Sequence, residues 1–141
     1  MDKKKVLFVC VHNSARSQMA EAFLKKYGAA QYEVESAGIE PGRLNPVVVD
    51  AMREVGIDIS NNRTKDVFEF LKQGRRFHCV ITVCDETNGE RCPVFPGISE
   101  RRHWNFDDPS SFTGSYEEVL KKTRSVREAV EKRILEFLGK A

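Results

Sequence analysis

Val6-Leu7-Phe8-Val9-Cys10-Val11-His12-Asn13-Ser14-Ala15-Arg16-Ser17 is the stretch on which the fold turns. Its first six residues are apolar without a break, and three of them are valine. Such a run predicts a strand covered on both faces, as the central strand of a parallel sheet is. A polar loop follows. From Ser17 to Tyr27 the residues Met19, Ala20, Phe23 and Leu24 fall on one face of a helix, with Gly28 as its stop.

The alternation continues outward from this unit. Tyr32 to Ser36 predicts a second strand, ended by Gly38, Pro41 and Gly42. Asn45-Pro46 is a cap followed by proline at the first helical position, opening a helix to about Val55. Asp66 to Gln73 reads as a short helix closed by Gly74, and Phe77 to Val83 as a third buried strand. Cys84 to Ser99 carries Asn88-Gly89, Pro93, Pro96 and Gly97 and reads as a long loop, of a length usually tied to function. A short strand is expected at Arg102 to Trp104. Ser115 and Glu118 form a capping box, starting a helix to about Leu138 with Val119, Val126, Val130, Ile134 and Leu138 as its apolar stripe. Strands alternating with helices imply an α/β fold with a doubly wound parallel sheet.

The totals fit one domain over residues 1–141, long enough to build a core without disulfide staples. The net charge of +2 gives no general attraction to nucleic acid or an anionic membrane, so any preference for anions must be local. Lys3, Lys4 and Lys5 before the apolar run imitate a secretory leader, but six apolar residues fall short of the ~7–15 such a leader uses. No apolar stretch approaches the ~18 residues of a membrane span. A cytoplasmic protein is expected. In that compartment four cysteines point to catalysis, redox exchange or metal binding rather than to staples.

In open α/β sheets ligands sit at the carboxyl ends of the strands, where the loop from Cys10 to Ser17 lies. A loop running into a helix N-terminus aims backbone N–H groups at one point, with the helix dipole adding positive potential. The amides of Val11, His12, Asn13, Ser14 and Ala15 are the candidate cradle for an oxyanion, with the Arg16 guanidinium as a planar fork of donors. The same environment favours a thiolate at Cys10, and the hydroxyls of Ser14 and Ser17 can donate to it. A lone Cys-x5-Arg would be read as readily as a buried cysteine and a solvated arginine. Its place between a buried strand and a helix favours a cradled oxyanion attacked by sulfur. The oxygen that leaves needs a proton, and Asp107-Asp108-Pro109 offers a carboxylic acid ahead of the last helix. Adjacent carboxylates disfavour double ionisation, which helps keep one protonated. Taken alone, however, Asp-Asp-Pro is usually a surface turn. Cys79 reads as inert core, Trp104 equally as core or pocket wall, and His78 and His103 have no ligand-like spacing.

Cys10 to Ser17 resembles the phosphate-binding loop of the low-molecular-weight protein tyrosine phosphatase family. Ser17-Gln18-Met19-Ala20-Glu21, Ser36-Ala37-Gly38-Ile39 and Val55-Gly56-Ile57-Asp58-Ile59-Ser60 resemble its branch of thioredoxin-coupled arsenate reductases. The likeness covers nearly the whole chain in order. His12 stands where glycine is common, and Ala15 where cysteine is frequent. The resemblance implies a four-stranded parallel sheet with helices on both faces, and Asp108 as general acid with Asp107 beside it. It also implies a disulfide relay from Cys10 to Cys84 to Cys92, reset by thioredoxin as external reductant, in a monomer with no bound cofactor. Cys84 ends the third predicted strand, at the sheet edge of Cys10, and Cys92 follows after seven residues, too far for paired zinc ligands. A potassium ion can support the loop in such proteins, and Asn13, Glu21, Ser36 and Asp66 are the nearest matches. Two rival readings use the same residues: a tyrosine phosphatase working through a Cys10 phosphoenzyme, which has no use for Cys84 and Cys92, and a redox sensor or anion-binding module, which has no use for Asp108.

Overall fold

In the computed structural model, which describes residues 3–83, 95 and 99–140, the central strand is β1 (Lys4–Cys10). It lies between β2 (Tyr32–Gly38) and β3 (Cys79–Thr82), with β4 (Glu100–His103) beyond β3. Every pairing is parallel, so this is the expected four-stranded sheet, in the order β2-β1-β3-β4.

The unbroken apolar run follows from β1 being sandwiched. Val6, Phe8 and Cys10 point to one side, together with Cys79, Ile81 and Val83. There they pack on α1 (Arg16–Gly28), α2 (Pro46–Arg53) and α4 (Tyr116–Phe137). Leu7, Val9 and Val80 point to the other side, against Phe77, Phe95 and the helix α3 (Val67–Lys72). Alternation along a strand sends neighbouring side chains to opposite faces, so a strand with two covers must be apolar at every position. Each fully buried large side chain contributes about 1.5–3 kcal/mol. Trp104, left open between core and pocket by the sequence, is core: it packs on Phe8 and Phe137, each at 5.7 Å between ring centroids.

Several ends differ from expectation. The helix α1 starts at Arg16 and includes Gly28, which is not in a left-handed conformation. Gly28 matters for space, since a Cβ there would lie 2.9 Å from Leu24 and 3.1 Å from Leu138. The edge strand begins at Glu100 because Cys79–Thr82 pairs residue by residue with Glu100–His103, and Trp104 turns into the core after it. The helix α2 is regular to Arg53. Its last turn then closes at Val55 through Ile57 N to Met52 O and Gly56 N to Arg53 O, both 3.0 Å, with Gly56 at φ +80°. Ser115 caps α4, accepting from the Glu118 amide and donating to its carboxylate. Arg124 and Arg127 of α4 clasp Glu54 at the end of α2, with contacts as short as 2.6 Å and 2.8 Å.

Candidate active site

The register Cys10↔Gly38 ends β1 and β2 at one edge, and the chain leaves β1 over the top of β2. A Cβ at position 38 would lie 2.9 Å from Asn13 N, the His12 carbonyl carbon and Val11 O. Glycine therefore lets the loop settle onto the strand. The path is pinned by Ile39 N to Cys10 O (3.1 Å), Glu40 N to Val11 O (2.7 Å), Gly42 N to His12 O (3.0 Å) and Asn45 N to Ser14 O (2.9 Å). His12 Nδ1 lies 2.7 Å from Glu40 O. A carbonyl only accepts, so that ring nitrogen carries a proton. Ala15, at the cap of α1, supplies no side-chain hydrogen bond, which leaves the first amides of the helix uncapped by a side chain.

Asn13 is the hub of the loop. It is fully buried and holds φ at +55°, a conformation that asparagine tolerates better than most residues. Its Oδ1 accepts from Gln18 Nε2 (3.1 Å) and from the Lys65 amide (3.0 Å). Those two donors fix the amide orientation, so Nδ2 donates to Ser17 Oγ (2.7 Å) and Ser36 Oγ (2.9 Å). Ser17 Oγ, which accepts from Asn13, also shares a hydrogen bond of 2.8 Å with Cys10 Sγ. The Asn13 amide donates to the same sulfur at 3.1 Å. Cys10, 3% exposed, thus accepts one hydrogen bond from the Asn13 amide and shares a second with the Ser17 hydroxyl.

Arg16 is buried at the start of α1 and donates to Phe106 O at 3.2 Å. Its other terminal nitrogen stands 3.5 Å from Asp108 Oδ2. Asp108 is half-buried and caps a single 3₁₀ turn, Pro109–Ser111, accepting from Ser110 N at 3.0 Å and leaving Oδ2 toward Arg16. Asp107 is exposed, in the lining of a cleft of about 410 Å³ with Phe106, Phe112 and Lys122. Asn45 Nδ2 donates to Ser110 Oγ at 3.0 Å and ties this acid-bearing turn to the loop's far end.

Cys84 and Cys92 lie outside the described residues. Cys79 is buried on the α1 side of the sheet, and burial followed by the Glu100 charge pushes its thiol up to about 11. It stays a protonated core thiol. His78 Nδ1 accepts from Lys5 N, and His103 pairs with Thr82 Oγ1 at 2.6 Å. Asp66 caps α3 through Phe68 N. Among the described residues no helix is long and apolar enough to cross a membrane, and no cluster of three His, Cys, Asp or Glu residues offers a metal site. The sequence signals missed were Gln18 and Lys65, which look like ordinary surface polar residues until their contacts with Asn13 are seen. The left-handed demand at position 13 was the signal available.

The profile of the family described as low molecular weight phosphotyrosine protein phosphatase matches residues 5–141. An arsenate reductase of Halalkalibacterium halodurans is 43% identical over 137 residues, covering 97% of this chain and 96% of that protein. A solved arsenate reductase in its oxidised state superposes with a TM-score of 0.78 at 33% identity, over 97% of this chain and 98% of the other. A thioredoxin-dependent arsenate reductase of Corynebacterium glutamicum reaches a TM-score of 0.62 at 30% identity, over 94% of this chain and 62% of the other. With nearly its whole length matched, the chain belongs to the low molecular weight phosphotyrosine protein phosphatase family.

Proposed function

We propose that this protein reduces arsenate to arsenite in the cytoplasm as a monomer, with Cys10 as nucleophile and thioredoxin as the final reductant. The observation that carries the reading is the pair of contacts at Cys10 Sγ, from the Asn13 N–H and with the Ser17 hydroxyl, in the loop that leads into α1 at Arg16. The arsenate reductases similar to this chain over nearly its full length support arsenate over other oxyanions.

The Cys10 thiolate attacks arsenic of a bound arsenate whose charge is spread over Arg16 and the loop amides of residues 11–15. One arsenate oxygen leaves as water after taking a proton from Asp108, and a sulfur–arsenic(V) bond remains. The Cys84 thiolate then attacks Cys10 Sγ. A Cys10–Cys84 disulfide forms, the sulfur–arsenic bond breaks, and its electron pair stays on arsenic, which departs as arsenite. Cys92 attacks Cys84, the pair becomes Cys84–Cys92, and Cys10 returns as thiolate. Thioredoxin supplies two electrons to reopen that disulfide. The C. glutamicum protein is described as thioredoxin-dependent, which supports this last partner.

The testing experiment combines the purified protein with arsenate, thioredoxin, thioredoxin reductase and NADPH and follows NADPH oxidation. Turnover that needs arsenate and thioredoxin together is expected; its absence with rapid hydrolysis of an aryl phosphate would favour the phosphatase reading. The family match supports that second reading, since hydrolysis would use the same Cys10, Arg16 and Asp108.

A further inference from the structure

The potassium ion implied by the family resemblance would have to be held by Asn13, Glu21, Ser36 and Asp66, and their donor atoms do not fit it. Asn13 Oδ1 already accepts from Gln18 and from the Lys65 amide. The Ser36 hydroxyl donates to Glu21 Oε1 and accepts from Asn13 Nδ2 and from Lys65 Nζ at 3.4 Å. Asp66 Oδ1 caps α3. Glu21 is buried, yet both its oxygens face ammonium groups, Lys25 Nζ at 2.7 Å and Lys65 Nζ at 3.6 Å. A third cation beside one carboxylate would add repulsion that nothing there offsets.

The Lys65 head group stands where a monovalent cation would do its work, between Glu21 and Ser36. It is also anchored, because its own backbone amide binds Asn13 and its carbonyl accepts from Gly38 N at 2.7 Å. From there an unbroken path runs through Ser36 Oγ, Asn13 Nδ2 and Ser17 Oγ to Cys10 Sγ. We infer that Lys65 is a positioning residue that takes the place of a dissolved potassium ion, so that the Cys10 loop of this protein holds its shape without one. An ammonium is a compact point charge on a flexible stem, which suits a site otherwise filled by a small cation.

The inference rests on the proposed reading only in that the loop binds an oxyanion, and its test needs no arsenate turnover. Alkylation of Cys10 by iodoacetamide is followed with increasing inorganic phosphate as protectant, in potassium chloride and in choline chloride at equal ionic strength. The wild-type protein should show the same half-protecting phosphate concentration in both salts. Lys65→Met keeps the stem and removes the charge. In choline it should need about tenfold more phosphate, the scale of one charge-assisted hydrogen bond lost, and potassium should restore most of the affinity. A wild-type protein whose protection depends on potassium would overturn the inference. So would a Lys65→Met protein that matches wild type in choline, or one that is weakened and ignores potassium. If the variant does not fold, the wild-type comparison still decides: equal protection in the two salts upholds the inference. A loss of folding alone would not produce rescue by potassium in place of choline.

Discussion

The Arg16 guanidinium and the Asp108 carboxylate face each other at 3.5 Å, joining the first turn of α1 to the turn that precedes α4. The group proposed to hold the oxyanion thus also orients the group proposed to protonate it. Asp108→Asn keeps the shape and the Ser110 contact but has no acidic proton. Formation of the covalent Cys10 adduct should slow by about 10²–10⁴-fold, with oxyanion binding largely kept. Rapid-quench measurement of the adduct decides. If Asp107→Asn is the damaging change and Asp108→Asn is mild, the acid is the neighbouring residue.

Cys10→Ser should abolish arsenate reduction and aryl phosphate hydrolysis together. A serine hydroxyl is a far weaker nucleophile than sulfur unless a base activates it, and no general base stands among the contacts of position 10. Residual turnover above a few per cent of wild type, in either assay, would point to another nucleophile.

Cys84→Ser should stop reduction with arsenic still bound to Cys10, since no thiol displaces it. Cys92→Ser should allow one turnover and trap a Cys10–Cys84 disulfide. Hydrolysis of a small aryl phosphate should survive both changes. Peptide mapping by mass spectrometry after a single turnover reads the difference, and a Cys92→Ser protein that cycles at the wild-type rate would remove the relay.

Gly38→Ala tests the seat of the loop. The added methyl would meet three backbone atoms of residues 11–13 at 2.9 Å, and backbone cannot rotate aside as a side chain can. The loop must lift, and a displacement near 1 Å at a reacting group can cost about 10²-fold in rate. A fall in kcat/KM of that order is expected, with the far-ultraviolet circular dichroism unchanged. An alanine variant with wild-type kcat/KM would show that the loop floats above the strand.

The clasp between α2 and α4 carries a pH dependence. The hydrogen bond from Arg124, reinforced by Arg127, holds the Glu54 carboxyl at about 2, below the ordinary glutamate value of ~4.3. A folded-state value below the unfolded one means the ionised form is favoured by folding. The contribution is therefore full above about pH 4.3 and is lost as pH falls toward 2. Glu54→Gln should destabilise the protein at pH 7 and lose less on acidification than wild type. Urea melts at pH 7 and near pH 3 test this, and parallel acid limbs for the two proteins would contradict it.

The architecture was legible because β1 is apolar at every position from Val6 to Cys10 and only a two-sided strand needs that. The cap at Asn45, the capping box at Ser115 and the stop at Gly74, which holds φ at +70°, were legible because each obeys a local rule. Of the candidate site, Cys10, Arg16 and Ser17 could be singled out from the loop between a buried strand and a helix, whereas Asp108 was singled out only through the family resemblance. Gln18 and Lys65 were not, because their roles depend on contacts with Asn13 made across 5 and 52 residues of sequence. Local patterns carry no record of such pairings. The helix does end at Gly28 as expected, but glycine there answers to the volume of Leu24 and Leu138 rather than to backbone turning.

Asn13 accepts hydrogen bonds from Gln18 of α1 and from the segment before α3, donates to Ser17 of α1 and Ser36 of β2, and through its own amide reaches one sulfur. A side chain with four partners and one backbone conformation behaves as a junction box. Whatever shifts Gln18, Ser36 or Lys65 reaches the nucleophile by the same wire, although none of the three touches it. The reactivity of Cys10 can accordingly be retuned by editing positions remote from it in sequence while the loop from 10 to 17 is left unaltered.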